Sequence, residues 1–308
     1  MNFNIKHILC LVLFFNSNYF FGQINDPPTV TAVGDQVYCP QSQQRIVTSF
    51  NIVDLDDTFI PAFYIQISSG YVVGQDQLSL IGSHPTIAAN WNANQAKLTL
   101  TGVSGSSPTY TEIIAAVYDV VFSSTNINVG PKTFSLTAGS ANYLASTDHY
   151  YDYVPANLIT WTDAKTAAEA MDYFGLQGYL ATLTIADEGQ ISGELSPGTG
   201  WIGASDAGTE GVWKWMTGPE AGTQFWQGLS NGSVTGGLYN NWASGEPNNA
   251  GGEDYAHFLT NGQWNDYPVA LGSIQGYVVE FGGLSNDPCV VTSATKTLHV
   301  VVNVAPTD

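Results

Sequence analysis

Positive charge is scarce in this sequence. The 308 residues include 7 Lys and Arg against 26 Asp and Glu, which gives a formal net charge of −19. Nucleic acids and anionic membrane surfaces are polyanions, so neither is an expected partner of so acidic a chain. A hydrophobic share of 44% is nevertheless ample for a folded core, which excludes an acidic disordered chain.

Cysteine is also rare, with three in the chain. Cys10 lies in the N-terminal apolar segment, which leaves Cys39 and Cys289 for any disulfide. These two could be bonded in an oxidising compartment or could be two small buried hydrophobes, and the sequence leaves both readings open. Because there is no CxxC and no Cys/His cluster, a zinc or iron–sulfur centre is not expected.

Long apolar runs are missing too, since a bilayer-spanning helix needs about 20 such residues. The apolar stretch at 8–15 follows Lys6 and is much shorter. It predicts a signal peptide over residues 1–22, cleaved after Gly22. We therefore expect a secreted, extracellular or cell-surface protein with no membrane insertion.

Residues 24–140 predict an all-β sandwich domain. Short segments rich in β-branched and aromatic residues are separated by Gly, Ser, Asn and Pro. The clearest of these segments are 63–72, 97–103, 115–124 and 132–139. No stretch in this half shows a clear helical period, so helices are expected only later in the chain.

The pattern changes to α+β in residues 145–284. A helix is predicted near 160–174, capped by Thr160 with Asp163 and stopped by Gly175. Its apolar face would consist of Trp161, Ala164, Ala168 and Met171. A second, shorter helix is predicted over 184–192, with Thr184 as its cap and Asp187 three residues on. Strands and long loops rich in Trp and Gly follow from 200 to 283.

The tail, residues 285–308, predicts a strand over 296–304, with apolar residues on one face. If that strand returned to the sandwich, residues 145–284 would be an insertion. Residues 303–307 also echo 25–29, which is typical of a junction to a further repeat, although so short a match could arise by chance.

Carboxylates are concentrated between residues 203 and 266. They comprise Asp206 and Glu210, the segment 245–254, and Asp266, and Lys296 is the only Lys or Arg after residue 214. Like charges packed without counter-ions repel one another, and a hard divalent cation removes that repulsion. Calcium takes its oxygen ligands from carboxylates and Asn carbonyls. A solvated acidic loop is the simpler alternative.

Six short stretches follow one another in a distinctive order. They are Trp161 with Ala164, Gly178-Tyr179-Leu180-Ala181, Trp201-Ile202-Gly203, Glu246-Pro247-Asn248, Trp264-Asn265-Asp266 and Gly276-Tyr277-Val278-Val279-Glu280. In this order they resemble a C-type lectin-like domain of the Glu-Pro-Asn and Trp-Asn-Asp type, over a little under half of the chain. The preceding half resembles cadherin-like or immunoglobulin-like repeats of bacterial surface proteins.

The resemblance implies calcium-dependent binding of glycans on cells or of extracellular polysaccharide, with a mannose-, glucose-, GlcNAc- or fucose-type preference. The residues implied for the sugar-site calcium, which would also contact the sugar, are Glu246, Asn248, Glu253, Asn265 and Asp266. Those implied for a second calcium are Asp206, Glu210, Asn249, Glu253 and Asp254. A cis peptide bond is implied before Pro247, a proline speciality.

Two features qualify this interpretation. The family's disulfides are missing: Ala168 and Val279 stand at one pair of cysteine positions and Tyr255 at another. The aromatic wall for a sugar ring could come from one of three residues, while four tryptophans are assigned to the core. The wall candidates are Tyr239, Trp242 and Tyr267, and the core set is Trp201, Trp213, Trp215 and Trp264.

Other functions remain open at this stage. The lectin-like fold could serve as a structural or protein-binding spacer, the carboxylates could belong to a glycosidase, or the fold could bind ice. No nucleophile elbow, His-Glu-x-x-His or phosphate loop occurs, so we expect no enzyme. The acidic turn at 54–57 could bind calcium at a domain edge, but a solvated turn is the more common outcome.

Overall fold

The computed structural model describes residues 27–33, 36–39, 42–127, 129–139, 141–194, 196–269, 272–288 and 293–300. The predicted signal peptide, Cys289 and the junction at 303–307 lie outside these residues. The described part of the chain is mostly β with few helices. It contains no helix that is both long and apolar enough to cross a membrane.

Among the described residues, the first half contains ten strands and one α-helix. In chain order these are β1 (Thr29–Val33), β2 (Gln36–Tyr38), β3 (Gln44–Arg45), β4 (Ser49–Val53), β5 (Ala62–Ser69), β6 (Asp76–Leu80), β7 (Ile87–Asn92), β8 (Lys97–Gly102), helix α1 (Tyr110–Tyr118), β9 (Val120–Ser124) and β10 (Lys132–Ala138). A 3₁₀ turn, Val103–Gly105, follows β8.

The second half adds the remaining strands and two short helices. In chain order these are β11 (Asn142–Leu144), β12 (His149–Pro155), α2 (Trp161–Glu169), β13 (Asp172–Tyr173), β14 (Leu176–Leu180), α3 (Ala186–Gly189), β15 (Gly200–Ser205), β16 (Val212–Trp215), β17 (Gln224–Gln227), β18 (Ser233–Val234), β19 (Tyr255–Phe258), β20 (Trp264–Tyr267), β21 (Gly276–Phe281) and β22 (Ser293–Val300). A π-helical turn, Gln190–Glu194, continues α3.

Three sheets surround one core in the first half. A six-stranded sheet has the order β2-β22-β10-β5-β8-β7, a three-stranded sheet has the order β3-β9-β6, and β1 pairs with β4. Side chains from these strands and from α1 form one buried apolar cluster, in which Phe63, Ile65 and Leu100 have no exposed surface. Phe63 and Ile65 lie two residues apart on β5 and so share one face of it, and Leu100 is on the neighbouring strand β8.

Helix α1 corrects the prediction that this half lacks helices. Residues 115–118, predicted as strand, form its last turn, and the strand begins only at Val120. Thr109 caps the helix: its hydroxyl accepts the N–H of Glu112, whose carboxylate accepts the N–H of Thr109 at 2.8 Å. The helix buries Ile113 and Val117 one turn apart, so the capping box and helical spacing prevail over the β-branched composition.

Strand β22 returns the chain to the first sheet. It runs antiparallel to β10, from Lys132 opposite Leu298 to Thr137 opposite Ser293, and parallel to β2 on its other side. The chain therefore leaves the six-stranded sheet after β10 and rejoins it next to the strand it left. Cys39, directly after β2, is exposed.

Helix α2 begins as predicted and ends earlier. The Thr160 hydroxyl accepts the N–H of Asp163 at 3.0 Å, and Trp161, Ala164 and Ala168 are buried. The helix ends at Glu169, not near residue 174. Gly175, with φ of 86°, instead forms the two-residue turn between β13 and β14, a positive-φ position that suits glycine.

The second short helix also differs from its prediction. It begins at Ala186, and Ile185 is its N-cap. Glu188, rather than Asp187, closes the cap, because its carboxylate accepts the N–H of Ile185 at 3.0 Å and the hydroxyl of Thr184 at 2.9 Å. Glu188 is buried, so its carboxylate depends on these protein donors.

The second half is organised on an eleven-stranded sheet with the main path β11-β12-β21-β15-β16-β17-β18. The predicted core assignment is confirmed: the side chains of Trp201, Trp213, Trp215 and Trp264 are at most 2% exposed. Ala168 and Val279, at one pair of the family's cysteine positions, are fully buried in one apolar cluster. At the other, Tyr255 lies over Trp161, with ring centroids 4.9 Å apart.

Candidate functional site

Strand β20 carries two of the predicted site residues. It pairs with β19 so that Asp266 lies opposite Ala256 and Asn265 opposite His257. The preceding loop is fastened to the same strand, since Trp264 donates its N–H to Asn241 at 2.7 Å. The loop that contains residues 245–254 is therefore anchored beside Asn265 and Asp266.

The carboxylate of Asp266 joins that loop to the strand. Asp266 is 1% exposed, and its two oxygens accept the N–H groups of Asn248 at 3.1 Å and of Asn249 at 2.7 Å. Glu246 shares a side-chain hydrogen bond with Asp266 and accepts the amide of Asn248. The peptide bond between Glu246 and Pro247 is cis, as the resemblance implied.

Glu253 is attached to the same loop. Its Oε2 accepts the N–H of Ala250 at 2.9 Å, and its own N–H donates to Asn249 Oδ1 at 2.8 Å. The structure thus joins Glu246, Asn248 and Asp266 directly and links Glu253 to them through Asn249. The fifth predicted residue, Asn265, precedes Asp266 on β20 and is half-buried.

The surroundings of Glu246 and Glu253 disfavour the charged forms of these two carboxyls. Burial, a hydrogen bond to Asp266 and the negative charges of Asp266 and Glu253 raise the pKa of Glu246 to about 7. Burial also raises the pKa of Glu253, and the charge of Asp266 adds to the shift. No Lys or Arg within the described ranges forms an ion pair with any of the three.

Asp206, of the second predicted set, lies near Glu210 and Asp254 of the same set. Its Oδ2 accepts the N–H of Gly211 at 2.8 Å, and its own N–H donates to the carbonyl of Asp254 at 3.2 Å. The other oxygen, Oδ1, is buried and has no hydrogen-bond partner among the described residues. Burial, and then the negative charges of Glu210, Asp254 and Asp266, raise the pKa of Asp206 to about 7 despite the bond from Gly211.

Among the described residues, Asp206 Oδ1 is a buried oxygen without a hydrogen-bond partner, and the carboxylates around it lack counter-charges. A bound cation would suit both features. Carboxylate and amide oxygens are the donors calcium prefers, and both predicted sets consist only of these. Calcium bound by either set remains a prediction. Once bound, it would supply positive charge and open positions for hydroxyl oxygens.

The aromatic residues near this loop are mostly committed to packing. Trp242 is buried edge-on to Trp213, with centroids 4.8 Å apart, so its prediction as a sugar wall is wrong. Tyr239 packs edge-on against Trp264, and Tyr267 lies against His257 at 5.1 Å. Both tyrosines are half-buried, so part of each residue stays accessible.

The acidic turn at 54–57 is stabilised by the protein itself. Asp54 Oδ1 accepts the N–H groups of Asp56 at 3.1 Å and of Asp57 at 3.0 Å, and Oδ2 accepts the Tyr110 hydroxyl at 2.6 Å. The three carboxylates lie within 4.8 Å of one another. The hydrogen bonds of the turn itself account for the closeness of the three carboxylates.

Sequence reasoning missed a buried cluster of His149, Glu188 and Glu280, whose ligand atoms lie within 4.8 Å of one another. The imidazole Nδ1 is 2.6 Å from Glu280 Oε1, and the Tyr151 hydroxyl donates to Glu188 at 2.7 Å. Burial and the charge of Glu280 raise the pKa of Glu188 to about 7. The cluster ties β12, α3 and β21 together. Of its residues, only Glu280 belonged to the six ordered stretches, and Glu188 lay in the predicted helix 184–192 without a role.

His149 provides the positive charge of this cluster. Burial alone would lower its pKa, but the hydrogen bond and charge of Glu280, followed by the charges of Glu188 and Glu220, raise it above the ordinary value. Protonation therefore stabilises the fold fully below about pH 6.5, and this stabilisation disappears as the pH rises through the folded-state pKa.

We expect His149→Gln to lower the melting temperature more at about pH 6 than at about pH 9, because only the protonated imidazole adds charge pairing. Differential scanning calorimetry in chelator, on parent and variant at both pH values, measures the two differences. Comparing parent and variant at each pH cancels the titration of carboxyls that do not interact with His149. A variant that is equally destabilised at both pH values would contradict the prediction.

Sequence comparison indicates the class of protein to which part of this chain is similar. No family model matches the chain. The chain is 29% identical to the C-type lectin domain family 4 member M of Nomascus concolor over 139 residues. The matched segment covers 44% of this chain and 28% of that protein. It is also 40% identical to the hepatic lectin of Gallus gallus over 67 residues. That matched segment covers 21% of this chain and 26% of the lectin. A C-type lectin-like domain is thus supported over about half of the chain.

A longer similarity links the chain to one particular protein. The chain is 36% identical to halomucin of Haloquadratum walsbyi over 260 residues. The matched segment covers 81% of this chain but 3% of halomucin. The chain therefore spans less than a third of each of these three relatives.

Two solved structures are also similar. One is the cow C-type carbohydrate-recognition domain of CD23 in the presence of a GlcNAc2Man3 oligosaccharide, with 24% identity, a TM-score of 0.36, and 47% of this chain and 95% of that chain covered. The other is the carbohydrate-recognition domain of the mouse scavenger receptor C-type lectin, with 26% identity, a TM-score of 0.33, and 46% and 92% covered.

Proposed function

We propose that this chain is a secreted or cell-surface protein that binds carbohydrate through calcium, with a mannose-, glucose-, GlcNAc- or fucose-type preference. The observation that carries the proposal is the Asp266 carboxylate, which fastens Asn248 and Asn249 beside Glu246. It brings together oxygen atoms from a loop and from a strand that follows 17 to 18 positions later in the sequence. The sequence similarity to lectins supports the same reading.

The ligand types explain how a sugar would be recognised. Two neighbouring hydroxyls of a sugar can each give a lone pair to one calcium ion. A carboxylate beside the ion accepts a hydroxyl hydrogen, and an amide donates one. Glu246 and Asn248 offer this acceptor and donor side by side, and Glu253 and Asn265 form the opposite side of the site.

The second calcium would act on the loop rather than on the sugar. Asp206 contributes the buried unsatisfied oxygen, and Glu210, Asn249, Glu253 and Asp254 complete the proposed set. Since Asn249 and Glu253 belong to the sugar-site loop, an ion held here would stiffen that loop. We propose a binding role and no catalytic one, with glycans on cells or extracellular polysaccharide as partners.

Calcium is expected to switch glycan binding on and to raise the melting temperature, because it binds only the folded loops. The full chain is applied to a glycan array with calcium and again with chelator, and its melting is followed under both conditions. Binding that is indifferent to calcium would contradict the proposal. No binding, with a calcium-dependent melting temperature, would identify a spacer, and release of a free sugar would identify a glycosidase.

Exchanging the acceptor at residue 246 with the donor at residue 248 is expected to change the sugar preference. In the variant Glu246→Gln with Asn248→Asp, one amide and one carboxylate remain, but their order is reversed. Calcium affinity should fall only modestly, while preference shifts from mannose-type toward galactose-type sugars. Isothermal titration with calcium, mannose and galactose measures both effects. A variant that keeps the mannose affinity of the parent would place the sugar site elsewhere.

A further inference from the structure

A cavity of about 280 Å³ lies between the first half of the chain and the β13–β14 hairpin. Pockets for drug-sized ligands begin at about 300 Å³, so this cavity suits a group the size of one side chain. It shares no residue with either predicted calcium set. Its lining includes four aromatic residues and two carboxylates: Phe59, Tyr110, Tyr173, Phe174, Asp54 and Asp57.

The two carboxylates give this cavity a negative charge. Burial would raise the pKa of Asp54, but hydrogen bonds from Tyr110 and from the N–H groups of Asp57 and Asp56 hold that pKa below its ordinary value. Asp54 is therefore ionised at neutral pH, and Asp57 is exposed. Among the described residues, no Lys or Arg lines the cavity or pairs with either carboxylate. The negative charge is thus available to a cationic ligand.

The two hydroxyl groups of the lining are committed to the protein. Tyr110 donates to Asp54 Oδ2 at 2.6 Å, and Tyr173 donates to the carbonyl oxygen of Ala138 at 2.9 Å. A hydroxyl has one hydrogen, so neither can donate to a ligand as well. The side chains of the cavity therefore present acceptors and rings, which favours a ligand that donates hydrogen bonds over an anion that must receive them.

Aromatic rings come from both sides of the cavity. Phe59, from the first half, is 57% exposed, although its ring is large and apolar. Phe174, on the hairpin, packs edge-on against Tyr173 with ring centroids 4.9 Å apart. Phe174 also has φ of 52°, in the left-handed region that suits glycine or asparagine, so its backbone is strained. Aromatic rings attract a cation and can cover its aliphatic stem.

We propose that this cavity binds a primary ammonium group on a short aliphatic stem, either a free alkylamine or a lysine side chain of a partner. The ammonium would donate to Asp54 and Asp57, and the stem would lie against Phe59 and Phe174. Calcium fits less well, because it needs about six to eight oxygen ligands and rings form much of these walls. This inference uses no residue of the proposed sugar site and stands independently of it.

Titration of the full chain with n-butylammonium tests the proposal in chelator and at constant ionic strength. Nitrogen-15 NMR should show saturable shifts of the amide signals at 54–60 and 172–175. n-Butanol, which has the same stem and no charge, should bind at least about tenfold more weakly. Absence of saturable shifts, or equal affinity for n-butanol, would overturn the proposal.

A lysine analogue separates the two sources of the ammonium group. If Nα-acetyl-lysine methylamide binds at least as tightly as n-butylammonium, the ligand is a lysine side chain of a protein partner. If it binds more weakly, the ligand is a free alkylamine.

Variants test whether the ligand occupies this cavity. Phe59→Ala removes an exposed ring, and Phe174→Asn removes the hairpin ring while giving the turn the Asn-Gly pair that it favours. Each should weaken n-butylammonium binding roughly fivefold. Leu55→Ala, at a residue 76% exposed in the same acidic turn but outside the lining, should bind like the parent. Parent-like affinity in both ring variants would overturn the proposal, and the n-butanol comparison decides it even if a variant fails to fold.

Discussion

Replacing Asp266 by Asn should weaken calcium binding by about 100-fold and abolish detectable glycan binding. The substitution removes a ligand charge, and it replaces one of the two oxygens that accept the N–H groups of Asn248 and Asn249 by an NH2 group, which cannot accept. Losing charge-assisted hydrogen bonds of this kind amounts to about 3 kcal/mol, or two orders of magnitude in affinity. Isothermal titration with calcium and then with mannose measures both losses.

A suitable control removes the same charge elsewhere. Asp57→Asn alters an exposed carboxylate in the first half and should leave both titrations unchanged. Circular dichroism should show that the strands of the Asp266→Asn variant remain. If this variant bound calcium and mannose like the parent, Asp266 would not be the residue that joins the loop to the ion.

Replacing Lys132 by Met should destabilise the first half by about 3–5 kcal/mol, because it leaves a buried carboxylate without its counter-charge. Lys132 on β10 and Asp76 on β6 pair at 2.7 Å with side chains 2% and 0% exposed, bridging the six- and three-stranded sheets. Lys132 also donates to the carbonyl of Gly70, and Asp76 accepts the N–H of Val72 at 2.8 Å. Urea denaturation of parent and variant gives the difference in the free energy of unfolding.

The matched double variant separates the ion pair from simple packing. With Lys132→Met, the additional change Asp76→Asn removes the buried charge and keeps an oxygen for Val72, so most of the lost stability should return. A loss below about 1 kcal/mol in the single variant would show that water reaches Asp76 and that the pair does not secure the two sheets.

Local signals predicted the helices unevenly. The start of α2 could be predicted because its cap and apolar face lie within a few residues of Thr160. Helix α1 carried an equally local signal, Thr109 with Glu112, and was missed because its β-branched residues suggested a strand. The pairing of β22 with β2 and β10 joins residues more than 150 positions apart, and no short-range pattern specifies such a partner.

The candidate site was predictable in composition but not in its internal connections. Motif order identified Glu246, Asn248 and Asp266, but not that Asp266 accepts two N–H groups of the loop. Trp242 has the residue type of a sugar platform, yet the packing of Trp213 decides that it is core. Likewise, nothing in the sequence brings His149 to Glu280, because that contact depends on the pairing of β12 with β21.

The return of β22 beside β10 has a mechanical consequence. The intervening region is, in topological terms, an enlarged hairpin loop whose two stems meet the sheet where Thr137 faces Ser293. Tension applied to a ligand bound in that region would reach both strands at the same end. Because both strands are then pulled in the same direction, the load does not separate them from each other and passes to their backbone hydrogen bonds with β5 and β2.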